Sequence, residues 1–258
     1  MRTTVGIFST RAAADRALDE LRAIGFAPDR ITLLNPGQAD VASAAVPSTA
    51  GEQPGLGKAV GAVVGTAVGM GTGLPLGAVA ATFVVPGVGP VIATGLLAGA
   101  LLGLGGAAVG GAIESALTDG VPKDETFVYE DALRQGRSVV IVAADDETQA
   151  DAARAVFAEA GAETVDAARE QWWVGLRSAE RERYAVTGQS FETDEPAFRR
   201  GFEAALRTDV RGRAYGEVQA DLRALYPDAY DSEAFRRGYD RGVAYWRGMR
   251  ELRAREAA

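Results

Sequence analysis

Thr3-Thr4-Val5-Gly6-Ile7-Phe8 is a short run of β-branched and apolar residues that reads as a strand, and Ser9-Thr10 behind it offers a hydroxyl N-cap for a helix. Ala14, Ala17, Leu18, Leu21 and Ile24 recur at helical spacing, and Gly25 supplies a left-handed stop. After the turn at Pro28-Asp29, Ile31 to Leu34 reads as a second strand, so residues 3–34 form a β-α-β unit. The same grammar returns downstream. Asp124 to Gln135 reads as a helix ended by Gly136, and Ser138 to Ala143 as a strand. Glu147 to Ala160 reads as a helix with Asp145 and Asp146 at its positive end, and Glu163 to Asp166 as a short edge strand. Two such halves, over residues 1–35 and 121–170, predict an α+β chain built on a ferredoxin-like sandwich.

The halves are separated by a Pro-, Gly-, Ala- and Ser-rich linker over 36–55 and then by a stretch with no charge at all, from Ala59 to Ile113. A run of 55 uncharged residues is far outside what a water-facing surface tolerates, so this segment is expected to be hidden from solvent. Within it Gly57, Gly61, Gly65, Gly69, Gly73 and Gly77 recur every four residues, and Gly95, Gly99, Gly103, Ala107 and Gly111 repeat the ladder. On a helix that spacing lines the glycines along one face, where missing side chains let a second helix approach closely. Val85-Pro86-Gly87-Val88-Gly89-Pro90 interrupts the ladders as a turn. The expectation is a Gly-rich helical hairpin over 56–117, with arms Leu56 to Val84 and Val91 to Leu117, each long enough at ~1.5 Å per residue to cross a ~30 Å hydrocarbon layer. Three environments fit it: a bilayer interior, the core of a soluble homo-oligomer, or a membrane surface.

The third part is helical. Ala-Phe-Arg-Arg-Gly-Phe-Glu at 197–203 returns as Ala-Phe-Arg-Arg-Gly-Tyr-Asp at 234–240, an internal repeat. Asp194 and Pro196 are expected to start the first copy and Asp231 or Ser232 to cap the second, with Tyr215, Val218, Leu222 and Leu225 forming a helix between them. Residues 193–256 therefore read as a small all-helical module. Its arginines, Arg199, Arg200, Arg236, Arg237 and Arg241, suit either ion pairs with Glu203, Glu233 and Asp240 or contact with a partner or anionic lipid head groups. Trp172 and Trp173 are expected to dock their rings into the core.

Composition excludes much chemistry. The 258 residues include no Cys and no His, so disulfides, thiol nucleophiles, Ser-His-Asp triads and zinc fingers are absent. With 27 basic against 35 acidic residues and a net charge of -8, the chain lacks the basic footprint of a nucleic-acid binder. Gly103-Leu104-Gly105-Gly106-Ala107-Ala108 matches a relaxed dinucleotide fingerprint, but it lacks the preceding strand and the later acidic residue that the fingerprint needs. No catalytic residue, cofactor or metal is expected, because acidic pairs such as Asp145-Asp146 are explained by helix N-termini. No apolar leader opens the chain, which favours a cytoplasmic setting for the soluble parts.

Thr4-Val5-Gly6-Ile7-Phe8, the Ala-rich helix ending in Gly25-Phe26, the glycine ladders, and Tyr129-Glu130-Asp131-Ala132-Leu133-Arg134-Gln135-Gly136 leading into Val139-Val140-Ile141-Val142 together resemble the bacterial general stress protein family, also called heat-induced stress proteins. The resemblance covers about residues 3–168, and the Arg-Arg-Gly repeats resemble tails attached to some relatives. It implies a stress-associated, cytoplasmic or membrane-linked protein and carries no catalytic residues. The expected function is thus non-enzymatic: association with the cytoplasmic membrane and self-association through the glycine-zipper hairpin. The alternative is a soluble oligomeric regulatory module that binds a ligand or partner, with the hairpin as its oligomer core.

Overall fold

The computed structural model describes residues 2–36, 80–85, 89–95 and 121–256. By contacts the chain divides into two compact units, one of residues 1–120 and 132–163, the other of 121–131 and 164–258. The chain is α+β.

In the first unit β1 (Arg2–Phe8), β2 (Ile31–Pro36), β3 (Ala80–Val85), β4 (Gly89–Gly95) and β5 (Ser138–Ala144) form one antiparallel sheet in the order β1-β5-β2-β4-β3. β5 lies between the two early strands, pairing Val5 with Ile141 on one side and Leu33 with Val140 on the other. Its Ser138-Val139-Val140-Ile141-Val142 is buried throughout, the signature of a central strand covered on both faces. Ile7 also bridges to Glu163 beyond β1.

Two helices line one face of this sheet. Helix α1 (Arg11–Ala23) starts at Thr10, whose hydroxyl accepts from the Ala13 amide at 3.2 Å. Helix α3 (Glu147–Glu159) starts at Asp146, which accepts from the Gln149 amide at 2.8 Å. Between them comes α2 (Thr126–Arg134), which runs from the helical unit into the sheet unit. Gly25 and Gly136 adopt φ of 101° and 80° just after α1 and α2, the left-handed stops foreseen from sequence. The core joins Phe8, Ala14, Ala17, Leu21, Leu33, Val140, Val142, Ala153 and Phe157. Alanine on the inner faces of both helices brings their backbones close to the strands. Gly6 does the same for a ring: a Cβ there would sit 2.9 Å from Cγ of Phe157, which packs edge-on against Phe8 at 5.8 Å.

Three expectations are corrected. The helical arms Leu56 to Val84 and Val91 to Leu117 do not hold where the chain is described: Ala80–Val85 and Gly89–Gly95 are strands, paired with each other and, through β4, with β2. Ala-Ala-Thr-Phe-Val-Val and Val-Ile-Ala-Thr are rich in β-branched residues, and the open edge of β2 offers them a ladder that an isolated helix lacks. Glu163 to Asp166 is not a strand beyond the single Glu163 bridge, because Thr164 accepts from the Ala167 amide at 3.2 Å and caps α4 (Val165–Ala185). Ile24 does not join the buried stripe of α1. It is the residue after the helix, with φ -87° and ψ 5°, and is 53% exposed.

The second unit contains the start of α2, then α4, α5 (Phe191–Ala205), α6 (Tyr215–Leu225) and α7 (Glu233–Glu256). Helix α5 begins earlier than expected, at the Ser190 cap, so Asp194 and Pro196 lie within it. Ser232 caps α7 by accepting from the Phe235 amide at 3.2 Å. Val218 and Leu222 of α6 are buried, whereas Leu225 at its end is 45% exposed.

Candidate functional site: the arginine-bearing helix crossing

The Phe-Arg-Arg-Gly-aromatic repeat is a helix crossing. A Cβ built at Gly201 would fall inside the van der Waals shell of the Phe235 carbonyl oxygen, and one at Gly238 inside that of the Phe198 carbonyl oxygen. The contact is reciprocal: each copy's glycine admits the backbone of the other copy's phenylalanine, aiming a Cα–H at its carbonyl. Gly242 continues the contact one turn on, where a Cβ would meet the Phe202 carbonyl oxygen at 2.5 Å. The crossing is so close that α5 and α7 share backbone surface rather than side-chain surface.

Aromatic rings pack around it. Trp173 contacts Phe198 and Phe202 at 6.2 and 5.9 Å between centroids, and Tyr184 meets Phe191 and Phe198 at 5.5 and 5.3 Å. On the other side Tyr215 meets Tyr239 at 5.6 Å, and Tyr226 meets Phe235 at 5.4 Å. Trp172 and Trp173 are buried, as expected of docking residues.

The arginines of the repeat have distinct surroundings. Arg199 donates to Glu203 at 2.7 Å and to Glu170 at 2.5 Å, and its guanidinium lies over the Trp173 ring at 5.6 Å. Arg237 pairs with Glu233, donates to Gln189 at 2.8 Å and lies over Tyr184. Arg241 clasps Glu180 with two bonds of 2.8 Å, and Glu180, only 2% exposed, is also reached by Arg183 at 2.9 Å. Arg236 lies over the Tyr215 ring at 5.5 Å, and Arg200 is exposed. Of the ladder glycines, Gly95 ends β4 opposite Thr32, while Gly57, Gly61, Gly65, Gly69, Gly73, Gly77, Gly99, Gly103 and Gly111 lie outside the described residues.

Several contributors escaped sequence reasoning. Arg211, 5% exposed, donates to Glu130 at 2.8 Å and to the Leu206 carbonyl at 2.6 Å while its guanidinium stacks 4.5 Å from the Trp246 centroid. Glu195 accepts twice from Arg177, at 2.7 and 2.6 Å, and once from the Trp173 indole at 2.8 Å. Those bonds, Arg177's above all, hold its carboxyl below the usual range. Glu125 is moved the other way: burial raises its carboxyl, although Tyr129 donates to it at 2.5 Å. Burial, and after it the Glu125 carboxylate, pushes the Tyr129 phenol far up. For the pair of Arg211 with Glu130 the sequence offers residue type alone, since the two stand 81 positions apart.

Chemically, this arrangement holds charge still. Glu180, Glu195 and Glu203 near the crossing are each bound to guanidinium groups, while Asp194 accepts from the Tyr184 hydroxyl at 2.6 Å. Among the described residues no three acidic side chains gather to hold a metal ion, and no helix is long and apolar enough to cross a membrane. Comparison of the chain with protein families, with curated proteins and with solved structures finds no match.

Proposed function

We propose that the protein is a non-enzymatic, self-associating binding module of the stress-response kind, in which a ferredoxin-like sandwich and an arginine-bearing helical unit accompany glycine ladders that form the contact between copies. The observation that carries this reading is the pairing of β4 with β2 and of β3 with β4. Ala80–Val85 and Gly89–Gly95, which lie between the two ladders in the sequence, belong to the same sheet as the first strands of the chain. A hairpin whose turn lies across a bilayer would hold residues 85–90 roughly 30 Å from that sheet. The pairing therefore favours ladders that meet other copies over a two-armed membrane span.

The sandwich reading is supported by the β-α-β, β-α-β sequence of β1, α1, β2 and then β5, α3 and the Glu163 bridge, with α1 and α3 sharing one core. The stress association rests on the resemblance of residues 3–168. A second reading, association with the cytoplasmic membrane, is favoured by the uncharged run Ala59 to Ile113 and leaves room for lipid contact at Arg200 or Arg236.

The test is cell fractionation with an alkaline carbonate wash, beside sedimentation of the purified chain and a Gly65→Leu, Gly69→Leu variant. A supernatant protein that sediments as a defined oligomer, and loses it on substitution with the sheet intact, is the expected result. An oligomer indifferent to both leucines removes the ladders from the mechanism, and retention in the pellet until detergent is added favours the membrane reading.

A further inference from the structure

Helix α7 carries a second stripe that the crossing does not use. Arg236, Asp240, Ala244, Arg247 and Glu251 are all exposed, and their spacing of four, four, three and four winds along one face of the helix. Read in order the stripe is positive, negative, small, positive, negative.

Its charges are treated differently from Arg237 and Arg241 on the same helix. Arg237 and Arg241 are spent on Glu233, Gln189 and Glu180. Among the described residues no ion pair joins Arg236, Asp240, Arg247 or Glu251 to anything. Arg247 reaches only the Gly212 carbonyl, at 3.2 Å, and Arg236 only the Tyr215 ring. Although the residue is exposed, partial desolvation against the helix raises the Asp240 carboxyl. Beside the stripe runs a groove of about 440 Å³, lined also by Ala214, Val243 and Gly248, and a Cβ at Gly248 would touch nothing within 4 Å. Small residues at the middle of a charged stripe leave room for another helix.

The order of the charges selects the occupant. A surface of one sign, such as anionic lipid or nucleic acid, would meet as much repulsion as attraction here. A second α7 running antiparallel meets attraction at every step. A two-fold axis midway between Val243 and Ala244 sets Asp240 opposite Arg247 and, further out, Arg236 opposite Glu251, with the alanines at the centre. Isologous contacts require this kind of self-complementarity.

We propose that this face of α7 is a contact between two copies of the chain, packed antiparallel about Ala244. It is separate from the glycine ladders, and either contact can exist without the other.

The chain has no cysteine, so Ala244→Cys in the full-length protein gives one thiol at the seam. Under mild oxidation it is expected to cross-link to a dimer, whereas Ala224→Cys, also exposed and on α6, is not. Adding Arg247→Asp to Ala244→Cys turns both central pairs repulsive and is expected to cut cross-linking about five-fold. Adding Asp240→Arg as well restores the pairs with their signs exchanged and should restore cross-linking. Equal cross-linking at 224 and 244, indifference to Arg247→Asp, or no rescue by Asp240→Arg would each overturn the proposal. Failure of the ladder substitutions to change the oligomer leaves this readout intact, so the two contacts are tested apart.

Discussion

Gly201→Ala is the sharpest perturbation of the helical unit. The added Cβ meets the Phe235 carbonyl oxygen, a backbone atom that cannot rotate aside, whereas ordinary contact begins near 3.4 Å. The helices must part along the crossing, loosening Phe198, Phe202 and Phe235, which are buried to 1% exposure or less. Overpacking of this kind costs roughly 3 kcal/mol, and the better helix propensity of alanine offsets about 1, leaving a net loss of about 2 kcal/mol. For a unit of this size that corresponds to a melting point lower by roughly 10 °C. All three tryptophans, Trp172, Trp173 and Trp246, lie in the helical unit, so urea unfolding followed by indole emission reads that unit and not the sheet. Gly238→Ala should cost about as much, and the double variant less than the sum, because one separation of the helices relieves both clashes. Gly248→Ala, in open space on the same α7, should be neutral or stabilising. A Gly201→Ala protein as stable as the parent, or a Gly248→Ala loss of equal size, would refute the crossing.

Three other outcomes are expected. Arg211→Met should destabilise the helical unit by about 3 kcal/mol, since it strands the Glu130 carboxylate and removes the stack on Trp246, and a loss under about 1 kcal/mol in the same urea assay would contradict this. Glu125 and Glu195 should respond to acid with opposite signs. The raised Glu125 carboxyl penalises the folded state as pH climbs through its folded value, so Glu125→Gln should be more stable than the parent at about pH 7 and equal to it at about pH 4. The depressed Glu195 carboxyl contributes stability above the ordinary carboxylate value that is lost as pH falls through its folded one, so Glu195→Gln should be weaker near neutrality with the gap closing in acid. Melting curves at the two pH values decide both. Burial pushes the Tyr184 and Tyr239 phenols up to about 12, so their share of stability is full below the ordinary value of 10.0 and is lost as pH rises through about 12. Phenolate absorbance should show Tyr184 and Tyr239 titrating well above 10.0 with Tyr129 later still, and a single step near 10.0 for all tyrosines would contradict the burial.

Where local chemistry decides, the residues spoke plainly. Thr10, Gly25, Gly136 and Asp146 mark helix ends by bonds that span three or four positions or by one residue's φ, so β1, α1, β2, β5 and α3 were readable. The β3–β4 hairpin was not, because the glycine period spoke for a helix, whereas the strands at Ala80 and Gly89 depend on an edge of β2 more than 40 positions earlier in the chain. The segment Glu163 to Asp166 misleads for the converse reason: one local cap, Thr164 on the Ala167 amide, makes it the start of a helix. In the tail the repeat announced that two helices are alike. It did not say that they touch, although a glycine at the same place in both copies was the available sign.

The bias toward arginine, with only Lys58 and Lys123 among 27 basic residues, acquires a physical reason from these contacts. A lysine can satisfy a carboxylate at one point, but it cannot clasp Glu180 or Glu195 with two parallel bonds or lie flat on Trp246, Trp173 and Tyr184. A helical unit that packs glycine against backbone leaves little side-chain volume at its crossing, and planar guanidinium groups close the gaps at the edge while neutralising the acidic residues there. Basic clusters in this chain are therefore mostly spent on building the unit, which is why a net charge of -8 coexists with the Arg-Arg repeats without a nucleic-acid surface. Some charges lie outside that accounting. The α7 stripe sets aside two arginines and two acidic residues that fold no part of the unit by ion pairing, and charge withheld from folding yet ordered for self-complementarity is what a contact between copies requires.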